Sequence, residues 1–175
     1  SGPTHRNFLN EFYSGAFDLS FARGEVFQYN PVTGDGRISG SAASLCGIEL
    51  ARASGDAAAL EEACARLELV YATVFAFTGL PLLYMGDELG LLNDHSYLAD
   101  PIRADDNRWL HRPPMDWAAA DRRSIAGTIE HRLFTMVAGL AAARAGVPAL
   151  HGSVATRVAD LGDPAVLCLA RSRQW

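Results

Sequence analysis

The sequence has no uninterrupted apolar run of about 18 residues, the length that a membrane-spanning helix needs, so no membrane span is expected. It also has no excess of basic residues, since the net charge is −5 and the isoelectric point about 5.5. Nucleic acids and anionic membranes bind basic faces, so neither is expected as a partner. The first residues, SGPTHRNFLN, contain no initiator Met and no basic-then-apolar leader. No signal peptide is therefore visible, and the localisation stays open with the cytoplasm favoured.

Cysteine is scarce and unpatterned: no pair among Cys46, Cys64 and Cys168 has metal-ligand spacing. These residues are predicted to be buried thiols that form no disulfide. The five histidines show no metal spacing either, and residues 94–100 lack the oxygen-ligand spacing of an EF-hand. There is no G-x-S-x-G and no Cys–His signature. The sequence therefore predicts no metal site and no cofactor.

With 175 residues, 49% hydrophobic and 20% charged, the chain has the composition of one globular domain, or of one domain plus a piece. Apolar periodicity and capping residues predict four helices. They cover residues 4–13 (N-cap Thr4), 41–54 (N-cap Ser41), 56–78 (N-cap Asp56) and 128–145. The segment LVYATVFAF near the end of the third helix is apolar all round, which predicts deep burial.

Residues 80–85 are predicted to form a strand, because the glycine and proline around its start break the preceding helix. Its apolar residues do not alternate with polar ones, so both faces should be covered, as in a parallel sheet. No second strand of this kind precedes it, which indicates a portion of a larger α/β domain. Two more strands are predicted at 154–159 and 165–172, and Trp175 is interpreted as an interrupted end.

The remaining segments, 16–40 and 86–123, are predicted to be loops. A loop as long as the first is uncommon in a compact domain and is usually functional. Within it, residues 34–40 resemble a phosphate-binding glycine loop, but Ser39 occupies the third glycine position. A plain turn is the preferred interpretation, and Arg37 is the residue of this segment to test.

Two acids, Asp87 and Glu88, follow the predicted strand 80–85 directly. Paired carboxylates at the end of a strand suit acid–base chemistry. Because these two are adjacent, their side chains should point in different directions. Hydrogen bonding to the loop backbone is therefore the preferred interpretation.

A cluster of acids, arginines and tryptophans occupies residues 104–117, ADDNRWLHRPPMDW. Such a cluster is typical of a solvated network of ion pairs. It also suits sugar recognition, in which an aromatic face covers C–H surface and charged groups bind hydroxyls. Composition leaves both interpretations open.

Two runs of the sequence resemble the amylosucrase and sucrose hydrolase branch of the α-amylase superfamily (glycoside hydrolase family thirteen). They are FARGEVFQYNPVTGDGRISGSAASL and LPLLYMGDELGLLNDHSYLADP…ADDNRWLHRPPMDW. The runs occur in the family's order, and the resemblance covers roughly residues 4–120. Its specific part is NDHSY followed by ADDNRWLHRP, since many barrel enzymes share an apolar strand followed by a G-(D/E)-E loop.

The resemblance implies an α/β fold: the C-terminal portion of a (β/α)8 TIM barrel plus the start of a C-terminal β-sandwich. Residues 1–54 would be a helical insertion after strand seven. Residues 55–148 would be the end of the barrel, with helix seven, strand eight and helix eight, and residues 149–175 a truncated β domain. The neighbours of strand eight would lie before Ser1, in the N-terminal barrel half of the same polypeptide.

The resemblance also implies a retaining enzyme that attacks sucrose with an aspartate nucleophile and a glutamic acid/base, while a further aspartate stabilises the transition state. The glucosyl group passes to an α-glucan or to water, so sucrose and α-glucan oligosaccharides are the expected ligands. In the family the stabilising aspartate belongs to a His-Asp-Asp motif, which this sequence lacks. No catalytic residue is therefore expected in the chain, and the chain alone should be inactive.

By the same resemblance, four residues should line the substrate site. Arg108 matches the arginine that pairs with an early-barrel aspartate and closes the glucosyl pocket. Arg37 matches an arginine that faces the fructosyl unit or the acceptor. Gln28 and Arg6 are weaker candidates, for contact with the acceptor and with an outer oligosaccharide unit. Two alternatives are another glucosidase or trehalose synthase of the superfamily, and a small helical binding module without catalytic function.

Overall fold

The structure, a computed structural model, describes residues 2–172 and is a mixed α/β chain. Its helices are α1 (Gly2–Ser14), α2 (Ala42–Leu45), α3 (Ile48–Ser54), α4 (Ala57–Ala76), α5 (Trp117–Arg122) and α6 (Ile129–Gly146). Short 3-10 helices span Asp87–Leu89, His95–Ala99, Asn107–His111 and Pro148–Leu150. The strands β1 (Glu25–Asn30) and β2 (Asp35–Ser39) form one antiparallel hairpin, and β3 (Thr156–Ala159) and β4 (Cys168–Arg171) form another. None of the helices in residues 2–172 combines the length and apolar character needed to cross a membrane.

The core lies where α4 packs against α3 and α6. Leu67 of α4 and Leu133 of α6 are fully buried at the centre of this contact. Tyr71 and Phe75 continue the buried face of α4 at four-residue steps, as the helical period requires. Truncating a core leucine such as Leu67 to alanine typically costs about 2–5 kcal/mol. The two long helices are thus the platform on which the other elements are placed.

The capping predictions are confirmed at two of three positions. The Ser41 hydroxyl accepts a hydrogen bond from the backbone of α2, and the Asp56 carboxylate accepts two from the first turn of α4. The predicted helix 41–54 is interrupted, because Gly47 adopts a left-handed conformation with φ of 99° and separates α2 from α3. The cap predicted at Thr4 is wrong, since Thr4 lies inside α1.

The prediction that residues 16–40 form an irregular loop is wrong, because β1 and β2 pair there. Phe27 lies directly opposite Arg37, and the register shifts between Phe27 and Asn30. Within this bulge Gln28 has a positive φ of 52°. A bulge interrupts the two-residue alternation by which a strand is recognised in a sequence.

The glycine-rich segment 34–40 is mostly strand β2, so it does not form a phosphate-binding loop. The turn precedes it: the Asn30 side chain accepts hydrogen bonds from the backbone of Val32 and Thr33. Gly34 closes the turn with φ of 66°, a conformation that glycine adopts without strain. The interpretation as a plain turn is therefore right for Gly34 and wrong for the residues after it.

The strand predicted at 80–85 is not formed. Leu82 is 79% exposed, whereas Leu83 packs against the core, so the segment is covered on one side only. A strand needs a hydrogen-bonded neighbour, and no segment within residues 2–172 pairs with this one. The extent of burial predicted for the end of α4 is also wrong, because Leu69 is 66% exposed.

The segment 86–123 is not loop throughout, because α5 lies within it. The Asp116 carboxylate caps α5 by accepting a hydrogen bond from the Ala119 N–H over 2.9 Å. The predicted helix at 128–145 is confirmed as α6. The two predicted C-terminal strands are confirmed as β3 and β4, which are shorter than predicted, and Trp175 lies outside the described residues.

Arg144 of α6 and Arg171 of β4 both bind the C-terminal end of α4, so this end is joined to α6 and to the second hairpin. Both guanidinium groups donate to the carbonyl oxygen of Phe77, at 2.9 and 3.0 Å. Arg171 also donates to the carbonyls of His151 and Val154. The carbonyls at a helix C-terminus lack intrahelical partners, so cations are well placed to bind them.

The three cysteines form no disulfide, as predicted, although Cys168 is only partly buried.

Candidate functional site

The β1–β2 hairpin brings together three of the predicted site residues. Gln28 lies on β1 at the bulge and Arg37 on β2, and both side chains are exposed. Side chains of directly opposed residues share one face of a sheet, so Phe27 and Arg37 lie side by side. The guanidinium carbon of Arg108 lies 5.4 Å from the centroid of the Phe27 ring. The surface formed by Phe27, Arg37 and Arg108 is referred to below as the hairpin face.

Arg108 is held by a carboxylate of its own loop. Its Nε and Nη2 each donate to one oxygen of Asp106 over 2.7 Å, which is a bidentate ion pair. Asp106 also caps the following 3-10 helix by accepting from the Arg108 N–H. The hydrogen bonds from Arg108 lower the pKa of the Asp106 carboxyl to about 2. The carboxylate is therefore ionised at neutral pH.

Arg6 reaches the same hairpin at its turn end. Its Nε lies 3.8 Å from the carboxylate of Asp35, and about half of each side chain is exposed. An exposed pair of this kind contributes up to about 1 kcal/mol. Arg6 therefore lies at the turn end of the hairpin that carries Arg37.

Asn93 fastens the loop after residue 90 to the segments on both sides of the hairpin. Its Nδ2 donates to the carbonyl of Arg23 over 2.6 Å, and its Oδ1 accepts from the backbone N–H of Ser41 over 2.8 Å. Its own backbone N–H donates to the Ser44 hydroxyl. The Asn93 side chain thus joins its own loop to residues about 50 and 70 positions earlier in the sequence.

Two further side chains of this loop bind the strands themselves. The Tyr97 hydroxyl donates to the Glu25 carboxylate over 2.6 Å. Asn107 donates from Nδ2 to the carbonyl of Val26 and accepts at Oδ1 from the Ser39 hydroxyl. The polar residues of NDHSY and DDNRW therefore bind this loop to the hairpin and its flanking segments.

The two tryptophans of the 104–117 cluster lie in different environments. The guanidinium carbons of Arg103 and Arg112 lie 4.3 and 5.5 Å from the centroid of the Trp109 ring, which is partly buried. Trp117 is 74% exposed and begins α5. Trp109 is thus already in contact with cations of its own loop, and Trp117 presents the more accessible ring.

Asp87 and Glu88 accept hydrogen bonds from the loop backbone, as predicted from the sequence. Asp87 accepts from the N–H of Tyr84, and Glu88 accepts from the N–H of Gly86. Asp87 also accepts from the hydroxyl of Tyr71 in α4. Burial raises the pKa of the Asp87 carboxyl above its ordinary value despite these hydrogen bonds. Both acids therefore fix the bend that follows residue 85.

A cavity of about 250 Å³ opens beside this bend and is lined by Asp87, Tyr84 and His111 among others. Burial lowers the pKa of His111, and the charge of Arg112 lowers it further. The Nδ1 atom of His111 is buried and has no hydrogen-bond partner within residues 2–172. The volume of this cavity is at or below the lower end of the range found for pockets that enclose a small ligand, whereas the hairpin face is open to solvent.

Within residues 2–172, no three side chains of His, Cys, Asp or Glu are placed to hold a metal ion. No family model matches the chain. Sequence reasoning missed Phe27, whose ring lies beneath Arg108, and Asn107, which joins the loop to both strands. Phe27 gave no signal because the bulge hides the strand, whereas Asn107 stands next to Arg108 in the quoted motif.

Proposed function

We propose that this chain is the C-terminal part of an amylosucrase-like enzyme of the α-amylase superfamily. The parent protein would transfer glucose from sucrose to an α-glucan or to water by a retaining mechanism. The observation that carries the proposal is the contact between the two runs that bear the resemblance. Asn93, Tyr97 and Asn107 of the second run bind the backbone and side chains of the first run, around one surface with Arg37 and Arg108.

The apolar segment 80–85 supports the same proposal. No hydrogen bond within residues 2–172 engages the backbone of Leu80, Leu82 or Leu83. Leu80 and Leu82 are 94% and 79% exposed, which is unfavourable for leucine in water. An eighth barrel strand whose two neighbours belong to another part of the polypeptide would have these properties. The boundaries at residues 54 and 148 between insertion, barrel and β domain are part of this proposal.

Arg108 is suited to the pocket-closing function because its donors are not exhausted. A guanidinium has five N–H donors, and Asp106 takes one from Nε and one from Nη2. The Nη1 group makes no hydrogen bond within residues 2–172. Arg108 can therefore bind a second carboxylate, the early-barrel aspartate of the proposed parent, while Asp106 holds its plane fixed.

Arg37 and Gln28 would form the acceptor side of the site. Arg37 makes no ion pair within residues 2–172, so its donors are available to hydroxyl groups of a fructosyl unit or of a glucan end. Gln28 is exposed at the bulge of β1, and Arg6 pairs with Asp35 at the turn end of the hairpin. The nucleophile, the acid/base and the third carboxylate would come from the rest of the parent protein, so the chain alone is proposed to be inactive.

The test begins with the reading frame upstream of Ser1. The proposal requires a barrel half with three carboxylates at strand ends, and its absence would refute the proposal. The longer protein should release fructose from sucrose, whereas the 175-residue chain should not. Glucose measured against insoluble glucan in the same reaction separates hydrolysis from transfer.

A further inference from the structure

Asn107 lies at the junction between the DDNRW loop and both strands of the hairpin. Its Nδ2 is 2.9 Å from the carbonyl oxygen of Val26 on β1, and its Oδ1 is 3.2 Å from the hydroxyl of Ser39 on β2. A carboxamide presents a donor and an acceptor on one short side chain, which these two partners require. Ser39 is only 4% exposed, so the contact lies partly shielded from water.

The residues that this amide joins are sequence neighbours of the hairpin face. Asn107 precedes Arg108, and Val26 precedes Phe27. The hydrogen bond to Val26 therefore lies one residue away from both the guanidinium and the ring beneath it. The Asp106 carboxylate, by contrast, holds Arg108 within its own loop and makes no hydrogen bond to the hairpin among the described residues.

We propose that Asn107 is a positioning residue, which sets Arg108 against Phe27 and thereby holds Arg108 at a fixed place relative to Arg37. The position of Arg108 depends only on contacts within this chain. Its consequence rests on the proposed function: Asn107 would couple the arginine of the glucosyl pocket to the arginine of the acceptor side.

The loop has other attachments, so the effect of Asn107 on position is separable from an effect on folding. Asn93 binds the segments flanking the hairpin, and Tyr97 binds Glu25 on β1. None of these hydrogen bonds involves Asn107, so we expect them to persist when Asn107 is changed. Tyr97→Phe is the matched control, because it removes one loop-to-hairpin hydrogen bond and leaves the bond nearest Arg108 in place.

The experiment measures the NMR shifts of the Arg108 Hδ protons in the 175-residue chain, since the Phe27 ring current displaces protons that lie over it. The Phe27→Leu variant gives the chemical shift of the Arg108 Hδ protons in the absence of the aromatic ring. We expect Asn107→Ala to move the Arg108 Hδ resonances to the Phe27→Leu position, and Tyr97→Phe to leave them at the wild-type position. Retention of the displacement in Asn107→Ala, or an equal loss in Tyr97→Phe, would overturn the proposal.

Asn107→Asp and Ser39→Ala keep the test decisive if Asn107→Ala does not fold. Asn107→Asp preserves shape but sets a carboxylate against the Val26 carbonyl, so the displacement should also be lost. Ser39→Ala removes only the second hydrogen bond, and the displacement should fall in part. An unchanged displacement in whichever of these variants folds contradicts the proposal.

The coupling is measured in the longer enzyme through kcat/KM for sucrose. Arg37→Ala and Arg108→Ala should each lower kcat/KM, and each loss is expressed as a change in activation free energy. The two changes should be non-additive in the wild-type background and additive in the Asn107→Ala background. Additive losses in both backgrounds would refute the coupling. If the longer protein does not act on sucrose, the proposed function fails, whereas the NMR result on the position of Arg108 stands independently.

Discussion

Arg122 and Glu130 form an ion pair between α5 and α6: Nη2 of Arg122 donates to Oε1 of Glu130 over 2.7 Å, and Glu130 is only 3% exposed. Burial by itself raises the pKa of this carboxyl, but the hydrogen bond from Arg122, a backbone N–H and nearby positive charge outweigh it. The pKa of Glu130 is therefore below its ordinary value. A buried carboxylate is thus kept ionised in the first turn of α6, where the helix dipole also favours negative charge.

Replacing Arg122 by alanine should destabilise the chain by about 2–4 kcal/mol, because it leaves a buried carboxylate without its partner. Urea unfolding followed by circular dichroism measures the change. Arg132→Ala is the matched control, because Arg132 and Glu61 are also 2.7 Å apart but lie 40% and 69% exposed. That exposed pair should contribute less than about 1 kcal/mol. Equal losses in the two variants would contradict the account of Glu130.

The same pair predicts how stability depends on pH. A carboxyl whose folded-state pKa is lowered contributes stability above its unfolded-state pKa and loses that contribution as the pH falls through the folded-state value. The difference in unfolding free energy between wild type and Arg122→Ala should therefore shrink on acidification below pH about 4. A difference that stays constant from neutral to strongly acidic pH would show that the ionisation of Glu130 does not carry it.

Asp106 should titrate with a pKa of about 2 in the folded chain, because Arg108 binds its ionised form. Carboxyl carbon shifts in a pH titration followed by NMR measure this directly. Arg108→Ala should return the pKa to the ordinary aspartate range. Arg112→Ala, which removes a nearby charge but no hydrogen bond to Asp106, should change it much less. An unshifted pKa in the wild type would mean that the bidentate pair does not persist in solution.

Leu82 and Leu83 should respond oppositely to replacement by serine. Leu82 is 79% exposed, so Leu82→Ser should leave the unfolding free energy of the chain unchanged and reduce its aggregation. Leu83 packs against the core, and Leu83→Ser should cost about 2–4 kcal/mol. In the proposed parent enzyme both substitutions should destabilise, since both faces of a barrel strand are covered. Tolerance of Leu82→Ser there would argue against a barrel strand at this position.

Thermal unfolding of the wild-type chain distinguishes the fragment from the helical binding module. Exposed leucines at 80 and 82 and at the outer face of α4 predict that the chain, folded at room temperature, aggregates on heating and does not refold on cooling. A cooperative and reversible transition would favour a self-sufficient module. Calorimetry at several protein concentrations makes the measurement.

The parts of the fold that were predictable are those governed by local chemistry. The Asp56 cap with the following apolar period specifies α4, and the C-terminal helix is specified in the same way. The β1–β2 hairpin escaped prediction because the bulge at Gln28 breaks its alternation. The segment 80–85 has the composition of a buried strand, but strand formation depends on a partner that its own residues do not encode.

The same distinction between local motifs and long-range contacts applies to the candidate site. Arg108 and Arg37 were identified through a resemblance carried by local motifs. The stacking of Arg108 on Phe27 joins residues 81 positions apart, and no local pattern reports such a contact. The importance of Asn107 likewise emerges only when its two hydrogen-bond partners on different strands are seen.

The most direct test of the central claim is the effect of Arg108→Ala on kcat/KM for sucrose in the proposed parent enzyme. We expect a loss of about 100- to 1,000-fold, equivalent to about 3–4 kcal/mol, because the substitution would leave a carboxylate in the pocket unpaired. Arg103→Ala is the control: Arg103 stacks on Trp109 in the same loop and pairs with Asp100 at the surface, so its loss should leave turnover nearly unchanged. An unchanged kcat/KM in Arg108→Ala would remove Arg108 from the substrate site and contradict the proposal.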